Sequence, residues 1–273
     1  RILSSAASDV YKRQIMDYET IELELKDKVA VIRLNRPDVK NALNTQMRAE
    51  ITQCVNQMGK EARVLVITGS GSAFCSGQDL GDRKSVSQID LERTLRDEYE
   101  PMLRSILDCP VPTIAAVNGA AAGAGANLAL AADIVIASAS AYFLQAFTRI
   151  GLIPDAGGTY IMPRTMGKAK AMGASLFADK ISAEQADKWG LIWEAVSDES
   201  FEEVWHSRAN HLANGPTIAY GYLKEALKSS FENDLNSQLT LEAKLQNNCG
   251  NTRDFQEGVL AFLQKREAKF EGR

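Results

Sequence analysis

The apolar positions change period several times along the chain, and each change marks an element. Residues 20–25 and 29–34 alternate or run apolar on either side of the polar Lys26-Asp27-Lys28, which predicts a hairpin. Asn35-Arg36-Pro37 interrupts it. From Asn44 the period lengthens: Met47, Ile51, Val55 and Met58 recur at three to four residues, and Asn44 or Thr45 stands where a cap belongs. A short apolar run at 64–68, closed by Gly69-Ser70-Gly71, predicts a buried strand. Residues 74–80 form a glycine-bearing turn. Residues 81–90 are polar and expected to be mobile. Residues 91–107 have a helical pattern, ended by Pro110 and Pro112.

The stretch from Thr113 to Gly158 has the most unusual pattern. A β-branched and small apolar run, 113–117, ends at Asn118-Gly119. Small residues follow, with Gly119, Gly123 and Gly125 among alanines. Residues 127–132 read as helix and 134–136 as a second buried strand. A strand that ends in glycines and runs into a helix start leaves backbone N–H groups unpaired at the positive end of the helix dipole, an arrangement that stabilises an anion. Glycine that merely permits close helix–strand packing has the same signature. The run is apolar enough to raise the question of a membrane span, but Asn118, Asn127 and Asp133 interrupt it, and a charge at mid-bilayer is costly. The glycines do not spell a dinucleotide-binding fingerprint. Farther on, Asp155 lies between Pro154 and Gly157-Gly158, a carboxylate on a constrained loop.

Beyond Asp155 the chain turns helical. Helical patterns occupy 165–177, 182–189, 198–213, 216–229, 235–246 and 252–266. Ser182 with Gln185 at the third position after it forms a capping-box signature, and Pro216 suits a first turn. The last pattern puts Phe255, Val259, Phe262 and Leu263 on one side, ready for the chain's own core or for a neighbouring subunit. Short strands alternating with helices predict an α/β core. Residues 1–15 lack an apolar targeting segment and do not match the rest of the chain; Met16 reads as a natural start, and the leader is expected to be disordered or a cloning or gene-model remnant.

Composition narrows the classes. The 273 residues are 45% hydrophobic, enough for a sizeable core. A net charge of −4 argues against a nucleic-acid partner. The four cysteines, Cys54, Cys75, Cys109 and Cys249, include no C-x-x-C pair and fit reduced thiols in a cytoplasmic setting. His206 and His211 are the only histidines, five apart on a predicted surface helix, so neither a histidine metal site nor a Ser-His triad is expected.

Four blocks carry a resemblance. Leu34-Asn35-Arg36-Pro37 with Asn41-Ala42-Leu43-Asn44, then Phe74-Cys75-Ser76-Gly77-Gln78-Asp79-Leu80, then the segment 119–134, then Gly151-Leu152-Ile153-Pro154-Asp155-Ala156-Gly157-Gly158-Thr159 resemble the enoyl-CoA hydratase/isomerase (crotonase) superfamily, in order and over about residues 17–273. The resemblance implies a spiral of ββα units over residues 16–200. It also implies a helical region, 201–273, that mediates a homotrimer or a dimer of trimers. The implied ligand is an acyl-CoA thioester, whose coenzyme A is part of the substrate, with no separate cofactor, metal, nucleic acid or membrane. It places the two N–H groups that hold the thioester oxygen at Gln78 and Ala124. Around the acyl-CoA it places Ala73, Cys75, Gly77, Asp79, Leu80, Gly123 and Phe147, with Phe262 and Lys265 approaching coenzyme A on a neighbouring subunit.

The departures from the family pattern bear on the reaction. The two water-activating glutamates of hydratases align with Asn127 and Phe147, neither of which titrates. Asp155 occupies the position where isomerase-type members carry their carboxylate, and Asn127 can only position groups. Burial among Phe147, Leu152 and Ile153 is expected to raise the Asp155 pKa and make it a better base. Segments 121–126, 151–159, 182–186 and 189–193 are closest to the branch of the family that converts ring-1,2-epoxyphenylacetyl-CoA to oxepin-CoA. A shift of a Δ3 double bond to Δ2, hydration by a relaxed mechanism, and a non-enzymatic acyl-CoA- or RNA-binding role remain as alternatives.

Overall fold

The computed structural model describes residues 18–81 and 90–273. The leader and the polar stretch after Gly81 lie outside the described residues. The predicted hairpin forms: β1 (Ile21–Lys26) pairs antiparallel with β2 (Val29–Leu34). Helix α1 (Thr45–Glu61) begins at Asn44, whose side chain accepts from the Met47 N–H at 2.8 Å. Its apolar face, Met47, Ile51, Val55 and Met58, is buried.

The chain then winds through three similar turns. In each, a strand of a six-stranded sheet leads directly to a strand of a four-stranded sheet. The turns are β3 (Val64–Gly69) to β4 (Ala73–Cys75), β5 (Thr113–Val117) to β6 (Ala120–Ala122), and β7 (Ile134–Ser138) to β8 (Tyr142–Leu144). Helices close the turns. α2 (Leu91–Thr94), a π-helical turn (Leu95–Tyr99) and α3 (Glu100–Leu107) follow β4, and α4 (Ala124–Leu130) follows β6. A 3₁₀ turn (Ala146–Ile150), α5 (Gly158–Thr165) and α6 (Lys168–Phe177) follow β8. Then β9 (Ile181–Ser182) and α7 (Ala183–Lys188) precede β10 (Glu194–Val196). The large sheet runs β1-β2-β3-β5-β7-β10, parallel after the first pair; the small one runs β4-β6-β8-β9, with only β8–β9 antiparallel. This is the expected spiral of ββα units.

Three sequence expectations need correction. The helical pattern at 165–177 begins three residues late, at Lys168 of α6; Thr165 ends α5, and the break falls at Met166-Gly167, where Gly167 takes φ +80°. The small-residue segment hides strand β6, because alanine lacks the β-branched signature of a strand. Pro216 stands just before its helix rather than in its first turn.

The C-terminal helices are α8 (Phe201–Ala213), α9 (Thr217–Ser229), α10 (Leu235–Gly250) and α11 (Arg253–Leu263). Helix α8 closes the outer face of the large sheet, with Phe201, Trp205, Ala209 and Ala213 buried against Val31, Val64, Val66 and Ile136. Helix α9 is tied to the spiral by Lys224, which pairs with Asp133 at 2.7 Å. Arg63 donates to Thr217 Oγ1 and to the carbonyls of Gly215 and Phe270, and the buried carboxylate of Asp254 accepts from the Glu271 and Gly272 N–H groups. The apolar side of α11 is not in the core of its own chain: Phe255, Val259, Phe262 and Leu263 are exposed, Phe262 at 83%, and they line a groove of about 650 Å³. No helix among the described residues is long and apolar enough to cross a membrane.

Candidate active site

Two N–H groups are left free where successive turns of the spiral touch. Gln78 follows β4. Its neighbours pair with Leu43: the Leu43 N–H donates to the Gly77 carbonyl at 2.8 Å, and the Asp79 N–H to the Leu43 carbonyl at 3.1 Å. Alternation along an extended chain therefore turns the Gln78 N–H the other way. Ala124 is the first residue of α4, so its N–H has no intrahelical acceptor. Among the described residues neither N–H has a hydrogen-bond partner. The two arms are in close contact. A Cβ on Gly77, which takes φ +98°, would stand 2.8 Å from the Ala122 carbonyl and 3.5 Å from the Ala124 nitrogen. Only glycine lets the first arm approach the second this closely.

Asp155 reaches the same corner from the third turn. It follows the 3₁₀ turn, and its main-chain carbonyl accepts from the Gly158 N–H and from Asn127 Nδ2, each at 2.8 Å. Its carboxyl is different: Oδ1 is closed to solvent and has no hydrogen-bond partner. Burial pushes the Asp155 pKa up to about 6, against a small opposing effect of its own N–H. The burial is not provided by Ile153, which is 76% exposed, whereas Phe147 is buried. Tyr99 shares these electrostatic surroundings. Burial holds its phenol neutral; Arg48 acts against that and the Asp155 charge adds to it.

Asn127 is 0% exposed, and its amide is fully committed. Nδ2 donates to the Asp155 carbonyl and, at 3.4 Å, to Gln145 Oε1, while Oδ1 accepts from Gln145 Nε2 at 2.9 Å. It thus anchors a loop rather than presenting an amide to a ligand. Phe147 covers Gly123, its ring 3.7 Å from where a Cβ would be.

The second glycine-bearing block divides between inside and outside. Ala73 and Cys75 are buried; the Cys75 thiol donates to the Asn41 carbonyl at 3.1 Å, and burial pushes its pKa up to about 12. The Asp79 carboxylate accepts from Arg36 at 2.8 Å and from the Gly81 N–H at 2.9 Å, which shapes the loop, and Leu80 is exposed. Phe262 and Lys265, at the end of α11, are exposed. All four cysteines are free thiols, and among the described residues no cluster of three His, Cys, Asp or Glu could hold a metal.

Three residues at this corner escape sequence reasoning. Gln145 directly follows β8, outside all four blocks that carry the resemblance. Arg48 lies in α1 beside Met47 and reads as a solvated position, yet it is buried: it donates to the Leu43 carbonyl at 2.6 Å, pairs with Glu98, and lies 4.7 Å from the Tyr99 ring centre. Tyr99 ends the π-helical turn, a local widening that a 3.6-residue period does not reveal.

With this geometry in hand, the comparisons with known proteins agree on one family. The model of the enoyl-CoA hydratase/isomerase family matches residues 24–273. The chain is 58% identical over 258 residues to a probable enoyl-CoA hydratase of Rhodobacter capsulatus, covering 94% of this chain and all of that one. It is 45% identical over 250 residues to the 1,2-epoxyphenylacetyl-CoA isomerase of Escherichia coli, covering 90% and 95%. Among solved structures, a putative enoyl-CoA hydratase/isomerase from Mycobacterium abscessus superposes with a TM-score of 0.88 at 37% identity, over 93% of this chain and all of that one. The chain belongs to the enoyl-CoA hydratase/isomerase family, enzymes of CoA thioesters built on the crotonase fold.

Proposed function

We propose that this chain is an acyl-CoA isomerase in which Asp155 moves the proton and the Gln78 and Ala124 N–H groups hold the thioester oxygen. One observation carries the reading: of the three aligned acid–base positions, only Asp155 titrates, and its half-buried carboxyl has one enclosed oxygen without a partner and a pKa raised to about 6. A base tuned toward neutrality is the better match for abstracting a carbon-bound proton. Deprotonation next to the thioester places negative charge on its oxygen. Two preorganised N–H donors there stabilise that charge, each worth roughly 3–4 kcal/mol in comparable sites. The proton returns at another carbon, and the product keeps the mass of the substrate.

Within that reaction class we take ring-1,2-epoxyphenylacetyl-CoA as the substrate: the C–C bond shared by the epoxide and the six-membered ring opens to give the seven-membered oxepin, and the proton taken beside the thioester returns to a ring carbon. The similarity to the Escherichia coli isomerase supports it, as does a site with Phe147 and without a water-activating carboxylate. Coenzyme A enters with the substrate, and no further cofactor takes part. The exposed apolar side of α11 supports a homotrimer or a dimer of trimers, in which Phe262 and Lys265 approach coenzyme A on a neighbouring subunit. Sedimentation of the purified protein tests the assembly; a fully active monomer at micromolar concentration overturns it.

The similarity to the probable enoyl-CoA hydratase of Rhodobacter capsulatus favours hydration as the second reading. Mass spectrometry of the products separates the two. With the ring epoxide, or with a Δ3-enoyl-CoA, the isomerase reading expects a product of unchanged mass. Efficient addition of water to a straight-chain trans-2-enoyl-CoA overturns it.

A further inference from the structure

We infer that Gln145 is a positioning residue for the Asp155 base, acting through the side chain of Asn127. This rests on the reading of Asp155 as the base.

The Asp155 carboxyl cannot set its own direction through a protein partner at Oδ1, because it has none there. Its aim comes from its main chain. The loop carbonyl at Asp155 is held by Asn127 Nδ2 at 2.8 Å, so the orientation of the Asn127 amide decides where the loop sits. That amide is in turn fixed by Gln145. The two side chains form a reciprocal pair, Gln145 Nε2 to Asn127 Oδ1 at 2.9 Å and Asn127 Nδ2 to Gln145 Oε1 at 3.4 Å. Gln145 is only 2% exposed, so bulk water has little access to it. The pair also fills its space tightly: a Cβ on Gly158 would stand 2.5 Å from Asn127 Nδ2.

Each partner is rooted in a different turn of the spiral. Asn127 lies in α4, three residues after Ala124. Gln145 follows Leu144, whose carbonyl accepts from the Gly123 N–H at 2.7 Å. The amide pair therefore references the base to the same backbone that carries the Ala124 N–H. Proton removal requires the base and the oxygen site to be in register, and an error of about 1 Å there can cost on the order of a hundredfold.

The test replaces Gln145 with leucine, which keeps bulk and removes both hydrogen bonds. We expect kcat to fall by up to about tenfold, no more than on deleting the Asn127 amide itself, while KM stays within about twofold. The pH profile is the sharper readout. In the wild type the acid limb of kcat/KM is expected near the Asp155 pKa of about 6. A released loop admits water to the carboxyl, so the limb in Gln145→Leu moves to lower pH. Tyr99, the nearby group whose titration senses Asp155, stays neutral throughout and does not contribute to the limb. A variant that merely lowers the folded fraction scales the whole profile without moving it. Wild-type kcat, or a lower kcat with an unmoved limb, overturns the inference. Gly158→Ala displaces Asn127 without deleting a polar group and carries the same test if Gln145→Leu does not fold. Asp155→Asn, assayed alongside, separates the two claims: if it retains near-wild-type isomerisation, the reading of the base fails, whatever Gln145 does.

Discussion

Asn127 and Asp155 are joined by a hydrogen bond, yet one corner is complete and the other is not. In the Asn127 corner every polar side-chain atom has a partner. In the Asp155 loop one carboxyl oxygen is buried and alone. A satisfied amide rigidifies its surroundings, whereas an unsatisfied buried carboxyl is a cost that persists only where the surroundings impose it. Such costs cluster where chemistry is done. On the proposed mechanism the contrast leaves support to one side chain and reaction to the other.

The strongest way to break this contrast removes the anion site instead of the base. Ala124→Pro deletes the free N–H, and proline is tolerated at the first position of a helix. Turnover should be abolished while binding of coenzyme A partly survives, as followed by calorimetry; retained turnover would remove α4 from the mechanism. Asp155→Asn comes next. It keeps the shape and deletes the base, and the isomerisation rate should fall at least ~100-fold with little change in substrate affinity. Asn127→Ala should cost less, about tenfold in kcat, because it loosens the loop without removing the base. It should also destabilise the fold by about 1–3 kcal/mol, since the Gln145 amide is left unpaired. An equal loss for Asn127→Ala and Asp155→Asn would erase the distinction.

The smallest effect concerns stability. Burial raises the Asp155 pKa in the folded protein, so folding favours its protonated form. The stabilisation is complete below the unfolded value near 3.9, and it is lost as pH rises to about 6. Asp155→Asn should therefore be more stable than wild type at pH 8, by on the order of 1–2 kcal/mol once partial exposure is discounted, and no more stable at pH 4. Denaturant midpoints at the two pH values measure it. A gain that is the same at both would mean the carboxylate is not strained by burial.

Much of this was legible in the chain. The β-branched runs at 64–68 and 113–117 became strands because their apolar side chains are buried on both faces of the sheet. Asn44 became a cap because its side-chain oxygen accepts from the Met47 N–H. Gly77 and Asp155 stood out as a glycine in a turn and a carboxylate on a constrained loop, inside two of the blocks that carry the resemblance. Less visible were features that depend on residues far apart in sequence. Nothing local indicates that Arg48 is buried by Glu98 and Tyr99, fifty residues on. Gln145 acquires meaning only when β8 brings it to Asn127. Strand β6, written in alanine, owes its extended form to the strands on either side.

The order of the sheets has a consequence for how the site comes into being. Strand order follows chain order, so each turn of the spiral pairs with the turn before it, as in a repeat protein that grows by stacking. Gln78 leaves β4, Ala124 follows β6 and Gln145 follows β8, one from each successive turn. On the proposed mechanism the two N–H groups that hold the oxyanion meet between nearest neighbours, complete once two turns have stacked. The third turn then brings Asp155 to that corner. A chain paused after α4 would hold an anion site with no acid–base group to use it.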